Sequence, residues 1–399
     1  MSNPETETVG KAQLTLRIVQ IVCFTFFAYL VIGLQLAVLP PFVHTDLGYG
    51  AVLAGLVIST QYVATLLSRG FAGRTSDVAG PKQSALIGMA ACGVSGLLMI
   101  FAALAHATPG LSLGLMLIAR LALGMGESCV GTGCIMWGIG RVGAAHTAKV
   151  ISWNGIATYG ALAVGAPLGV ILTDRFGFIA IGISGMLLMM GGLLGAWRRP
   201  GVRAEAGERL PMRHVFGRVT PYGMGLAMGS IGFGVISTFI TLYYASMHWR
   251  GAALTLSVFG ICFVGVRLVM GSAISRFGGY RVAMTSLVIE CLGLIVLALA
   301  DSSGMAIFGA ALTGIGFSLI FPSLGVEAVS RVSMNNRGAA LAAYSVFVDV
   351  ALGVIGPLGG WIVSGGSYSP MFAIAAGFSL SAMVLTGVLY MRYGKPVRA

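Results

Sequence analysis

Twelve apolar runs, each long enough to cross a bilayer, leave this chain almost no alternative to a bundle of membrane-spanning helices. They fall at 16–43, 50–72, 84–106, 112–137, 150–172, 178–197, 220–245, 252–274, 282–300, 304–328, 339–364 and 370–391. The runs are continuous and lack the period-two alternation of a membrane strand, which excludes a β-barrel. A soluble protein with 57% hydrophobic and 9% charged residues could not cover its core with polar surface. Sixty glycines would weaken soluble helices, but in lipid they let helix backbones approach closely. The expected fold class is an all-α membrane protein with twelve transmembrane helices.

The chain also repeats itself. GRTSDVAGPK at 73–82 returns in altered form as GSAISRFGGYR at 271–281, and 267 − 69 = 198 pairs Arg267 with Arg69. VGAPLG at 164–169 returns as VIGPLGG at 354–360, where 357 − 167 = 190 pairs the prolines. LGMGES at 123–128 returns as TGIGFS at 313–318 by the same 190. Loops of unequal length account for the drift between offsets. The expected organisation is therefore a six-helix half at 1–197, a polar linker at 198–219 and a second six-helix half at 220–399. Such parallel repeats build a binding site where they meet.

The net charge of +12 is read through its placement. Of 24 Lys and Arg, nineteen lie in the termini, the linker and the loops on one side, two (Arg175 and Arg250) on the other, and Arg69, Arg120 and Arg267 within spans. This asymmetry predicts that both termini are cytoplasmic, and no basic surface interleaved with aromatics calls for nucleic acid. The first fifteen residues are polar, so no cleaved signal peptide is expected. All six cysteines fall in apolar runs and read as small buried hydrophobes, not as a disulfide framework or metal site.

Gly73, Asp77, Gly80 and Lys82 reproduce the glycine, acid and base spacing of the loop between the second and third helices of the major facilitator superfamily, which the whole chain resembles. Arg120, Gly124 and Gly126 resemble its fourth-helix motif, and Gly165, Pro167 and Gly169 resemble the proline motif of its proton-driven exporters. Val78 and Pro81 replace basic residues usual in the loop motif, and Val170 replaces a second glycine that the other half retains as Gly359 and Gly360. SRGFAGRTSD, RLALGMGES and the acid in SVFVDVALG resemble the YhhS-type bacterial efflux permeases. The resemblance implies a proton-coupled transporter of the bacterial inner membrane, with no cofactor and no metal. Its loop motif implies a conformational latch in which Asp77 meets the positive N-terminal end of the eleventh helix near Gly338–Leu341.

Charges inside the bilayer cost a few kcal/mol each and persist for pairing or function. Arg120 and Glu127, seven residues apart on one helix face, are candidates for proton coupling; so is Asp349, whose first-half counterpart by the 190 offset is Tyr159. Arg69 and Arg267, near span ends, read as snorkelling cations. Glu290 reads as a partner in a helix–helix hydrogen bond, and Glu327 as an ion pair with Arg331 four residues on. Tyr29, Gln35, Gln61, Tyr62, Asn154, Tyr159, Thr238, Thr241, Phe317 and Phe321 are candidates for a cavity with polar anchors in an aromatic wall.

GISG at 182–185 lacks the intramembrane histidine a serine protease would need, since His214 and His248 lie in polar segments. GIGRVG at 138–143 follows no strand and is no dinucleotide site. The reading is a monomeric exporter exchanging protons for a small amphipathic organic compound; the alternative with the same fold is a proton symporter or facilitated importer. Neither is an enzyme.

Overall fold

The structure is a computed structural model that describes residues 10–143, 146–202, 212–270, 273–332, 337–364 and 366–394. Twelve helices long and apolar enough to cross a membrane run through it, and no strand occurs among the described residues. We number them α1 (Lys11–Leu36), α2 (Ala51–Val78), α3 (Pro81–Leu104), α4 (Pro109–Val142), α5 (Thr147–Phe176) and α6 (Ile179–Trp197) in the first six. The second six are α7 (Met212–Ser246), α8 (Ala252–Val269), α9 (Gly279–Ala298), α10 (Ser303–Ser318, resuming at Ile320–Val329), α11 (Arg337–Val363) and α12 (Ser369–Tyr393). The eighth run, expected to reach 274, breaks after Val269 and resumes as a short helix at Ala273–Phe277; Gly271 of the repeat lies outside the described residues. So does 203–211 of the linker.

Glycines set the helix spacing, and they do so twice. A Cβ on Gly124 would strike the Gln61 carbonyl on α2, and one on Gly314 would strike the Phe259 carbonyl on α8. Gln61 and Phe259 are themselves related by the 198 offset, as 259 − 61 shows. A Cβ on Gly126 would meet Cys92 and Gly88 of α3, while one on Gly316 would meet Glu290 and Ser286 of α9, again 198 apart. The duplication read in the sequence is thus a duplication of backbone contacts, the packing that small residues provide where lipid removes the hydrophobic drive. Gly126→Leu is expected to overpack this crossing by about 1–3 kcal/mol and lower the melting temperature in detergent. Gly114→Leu, with nothing near the added carbon, should melt like the parent.

Two interfaces join the first six helices to the second six. At α2–α11, Gly55 lies against Gly356 and Val52 against Gly360, and Ser59 Oγ donates to the Leu352 carbonyl at 3.3 Å. At α5–α8, Gly260 lies against Ala163 and Ser257 Oγ donates to the Ala163 carbonyl at 2.7 Å. Ser59 and Ser257 are repeat mates by 198. Pro167 explains the second bond: it has no N–H to offer the carbonyl four residues back, which is Ala163, and α8 supplies the missing donor. The glycines flanking Pro167 serve a different contact, Gly165 against Gly33 and Gly169 against Leu34 of α1.

Candidate functional site

Glu127 is the centre of the polar network in the first six helices. It projects from α4 and is 9% exposed. Three donors from two other helices converge on it: Tyr29 Oη of α1 at 3.0 Å to Oε1, and Gln61 Nε2 at 2.7 Å and Thr65 Oγ1 at 3.1 Å, both of α2, to Oε2. Hydrogen bonds to a charged group contribute roughly 1.5–3 kcal/mol each and offset much of the cost of burying a carboxylate. The network also has slack. Thr65 Oγ1 carries one proton yet lies at 3.0 Å from the Gln61 carbonyl and 3.1 Å from that of Gly124. Gln61 Oε1 is buried with no partner among the described residues. Rotating that amide would present an acceptor to Glu127 in place of a donor.

Arg120, two turns earlier on α4, is fully buried and donates from Nη1 to Gln35 Oε1 of α1 at 2.9 Å. Its Nε and Nη2 have no partner among the described residues. The sequence places Arg120 and Glu127 on one face, but they engage different partners. Asn154 of α5 accepts from Thr25 of α1 at 2.8 Å.

The interface between the two sets of helices holds a contact the sequence reading did not anticipate. Arg69 is not a snorkelling cation: it grips Asp349 of α11 with both Nε to Oδ2 and Nη2 to Oδ1, the latter at 2.9 Å. The two are 280 residues apart in sequence, so position along the chain carried no sign of it. Asp349 therefore sits in a two-pronged ion pair bridging α2 and α11.

The mate interface carries aromatic rings. Tyr159 of α5 stacks on Phe263 of α8 at 3.7 Å between centroids, and Phe317 of α10 stacks on Phe233 of α7 at 5.5 Å. Tyr159 contacts Phe233 and Phe317 edge-on, and Phe259 closes the cluster against Phe233. Arg267 lies with Cζ 4.8 Å from the Phe263 centroid and donates from Nε to the Ser318 carbonyl at 3.2 Å. That carbonyl is free because Pro322, four residues on, has no N–H for it and α10 breaks at Leu319. Gly155 of α5 makes room for the guanidinium, since a Cβ there would collide with Nη1. Thr65, Phe233, Phe259 and Phe263 escaped the sequence reading. Thr65 could have been found as the i+4 neighbour of Gln61; the phenylalanines carry no sequence signal that separates them from lipid-facing ones.

Other expected residues lie elsewhere. Tyr62 is buried on α2. Phe321 packs against Tyr344 of α11. Thr238 and Thr241 are buried on α7 with hydroxyls unpartnered among the described residues. In the expected latch, Gly80 takes a φ of +100°, a left-handed turn that glycine adopts without strain. Gly73 has open space where a Cβ would be, and Asp77 is half-buried. Lys82 caps the end of α6, donating to the carbonyls of Trp197 at 2.8 Å and Arg199 at 2.7 Å. The side chains at 337–339, at the expected partner end of α11, lie outside the described residues. Glu290 accepts from Ser379 of α12 at 3.0 Å, a bond between helices. Glu327 does not pair with Arg331: α10 ends at Val329, so Arg331 leaves the helical face and donates to Tyr222 and Tyr280 at 3.0 and 3.1 Å.

Twelve spanning helices in two sets, joined at two mated interfaces beside buried charges, define a multi-pass membrane transporter for small molecules. The chain matches the family model of the Major Facilitator Superfamily over residues 21–271 and 224–398, and it belongs to that superfamily. It is 54% identical over 393 residues to an uncharacterized MFS-type transporter of Pseudomonas aeruginosa (strain UCBPP-PA14), covering 98% of each chain. A similar transporter of Burkholderia mallei (strain SAVP1) is 52% identical over 384 residues, covering 96% of this chain and 94% of the relative. Among solved structures, a D-xylose–proton symporter superposes with a TM-score of 0.75 at 15% identity, over 92% of this chain and 97% of that one. The nucleoside transporter NupG gives 0.74 at 16%, over 94% and 100%. At such identities these two share the fold alone.

Proposed function

We propose that the protein exports a small amphipathic organic compound in exchange for protons, with Glu127 as the proton site. The observation that carries this reading is the Glu127 network: a buried carboxylate held by rotatable donors from helices on both sides of it. Charged, it accepts from Tyr29, Gln61 and Thr65. Protonated, it needs an acceptor; rotation of the Gln61 amide supplies Oε1, and Thr65 returns its single proton to a backbone carbonyl. Each protonation state thus leaves the Glu127 carboxyl group itself with partners. Rocking of 1–197 against 220–399 about the α2–α11 and α5–α8 interfaces, with 198–219 as a tether, changes which face of the membrane reaches the site, so proton affinity differs between the two states. Arg69–Asp349 holds the interface, Arg120 tunes Glu127 from two turns away, and Asp77 latches the turn after α2. The resemblance to the YhhS-type permeases supports export, and the basic bias supports cytoplasmic termini in a bacterial inner membrane, the protein acting as a monomer.

Everted membrane vesicles test the direction. A radiolabelled compound that accumulates in cells lacking the protein should enter vesicles when their interior is acid, and a protonophore should abolish entry. Acid-driven loss from preloaded vesicles would show a symporting importer instead.

A further inference from the structure

The repeat leaves one position of charge unfilled. By the 198 and 190 offsets, Arg267 is the mate of Arg69 and Tyr159 is the mate of Asp349. The structure keeps this correspondence: Arg69 meets Asp349 at α2–α11, while Arg267 and Tyr159 lie against the same Phe263 ring at α5–α8. The neighbouring serines follow the same symmetry, Ser59 bonding across one interface and Ser257 across the other. Only the acid is missing. Among the described residues no carboxylate pairs with Arg267, and its guanidinium rests on a ring face and one carbonyl.

We propose that the transported compound is an organic anion whose carboxylate or equivalent acid group pairs with Arg267 as Asp349 pairs with Arg69, with its apolar part against Tyr159, which like Arg267 is partly exposed. The proposal deepens the transport reading and rests on it for the word transported. A planar guanidinium suits a two-oxygen anion, forming two parallel charge-assisted bonds. Tyr159, the partly exposed ring of the cluster, supplies flat apolar area that favours a ring or other planar group, backed by the buried Phe263 and Phe317. Gly155 and the Ser318 carbonyl orient the arginine, so the anion meets a guanidinium already held in place.

Binding to the purified protein tests this without any flux. The probes are 1-naphthoate, 1-naphthamide and 1-naphthylmethylammonium, alike in ring and different in charge. Naphthoate should bind roughly tenfold or more tightly than naphthamide, the ratio a charge-assisted bond provides, and the ammonium should bind weakest. Arg267→Gln should reduce naphthoate to the level of naphthamide. Tyr159→Glu puts the missing acid in place of the ring, and should abolish the preference for naphthoate over naphthamide, with naphthamide binding weakened by the loss of the ring. Equal binding of the three probes, preference for the ammonium, no binding of naphthoate, or a Tyr159→Glu protein that still prefers naphthoate would each overturn the proposal. Failure of gradient-driven movement in everted vesicles, with naphthoate selectivity intact, would instead sink the transport reading alone.

Discussion

Asp349→Asn should destabilise the protein more than the double replacement Arg69→Gln with Asp349→Asn. The single change leaves a guanidinium facing an amide at a helix interface; the double change leaves two amides that can satisfy each other. The Asp349 side chain is 7% exposed and that of Arg69 27%, so the pair is largely shielded from water. Removing one partner of a buried pair typically costs about 3–5 kcal/mol, whereas replacing both is often nearly neutral. Melting in detergent should therefore fall for Asp349→Asn and recover much of the way in the double variant. Because the pair spans α2 and α11, the double variant should also loosen that interface and change the balance between the two facing states. Single and double variants that melt together would show that Arg69 and Asp349 do not depend on each other.

Much of the fold was legible because lipid permits so few solutions. Apolar runs of spanning length, Gly124 and Gly126 answered by Gly314 and Gly316, and Pro167 answered by Pro357 were sufficient to place twelve helices in two sets. The chemistry was less legible, for a physical reason. Residue type and depth identify which groups must find partners in the membrane, but the partners come from helices distant in sequence. The sequence marks Asp349 as a costly intramembrane acid and Arg69 as a snorkelling cation near a span end, yet the two are each other's partner. Glu127 and Tyr29 were both singled out, but not the bond between them, and Thr65 was hidden by being an ordinary hydroxyl on α2. Arg331 failed in the opposite sense: the i+4 spacing to Glu327 matters only while the helix lasts, and α10 stops two residues short of it. Pro322 shows a signal that can be read in advance, since a proline inside a spanning helix identifies the carbonyl four residues back as an acceptor awaiting a donor from elsewhere.

Glu127→Gln should remove coupling and leave movement. The amide keeps the shape of a protonated glutamate and can still bond Tyr29, Gln61 and Thr65, but it cannot take up or release a proton. Exchange needs only the two conformations, while accumulation needs a site whose proton affinity differs between them. The variant should therefore insert, fold and bind as the parent does, and lose gradient-driven accumulation entirely. Asp349→Asn, by contrast, should lose stability first, which separates a coupling acid from a holding one.

The decisive measurement is made on parent and Glu127→Gln proteins reconstituted in proteoliposomes, with 1-naphthoate, 1-naphthamide and 1-naphthylmethylammonium followed under an imposed pH gradient and, separately, in equilibrium exchange. The parent should concentrate the probe that it exchanges, and the Glu127→Gln protein should exchange that probe at a comparable rate without concentrating it. A Glu127→Gln protein that concentrates the probe as the parent does would contradict a proton site at Glu127.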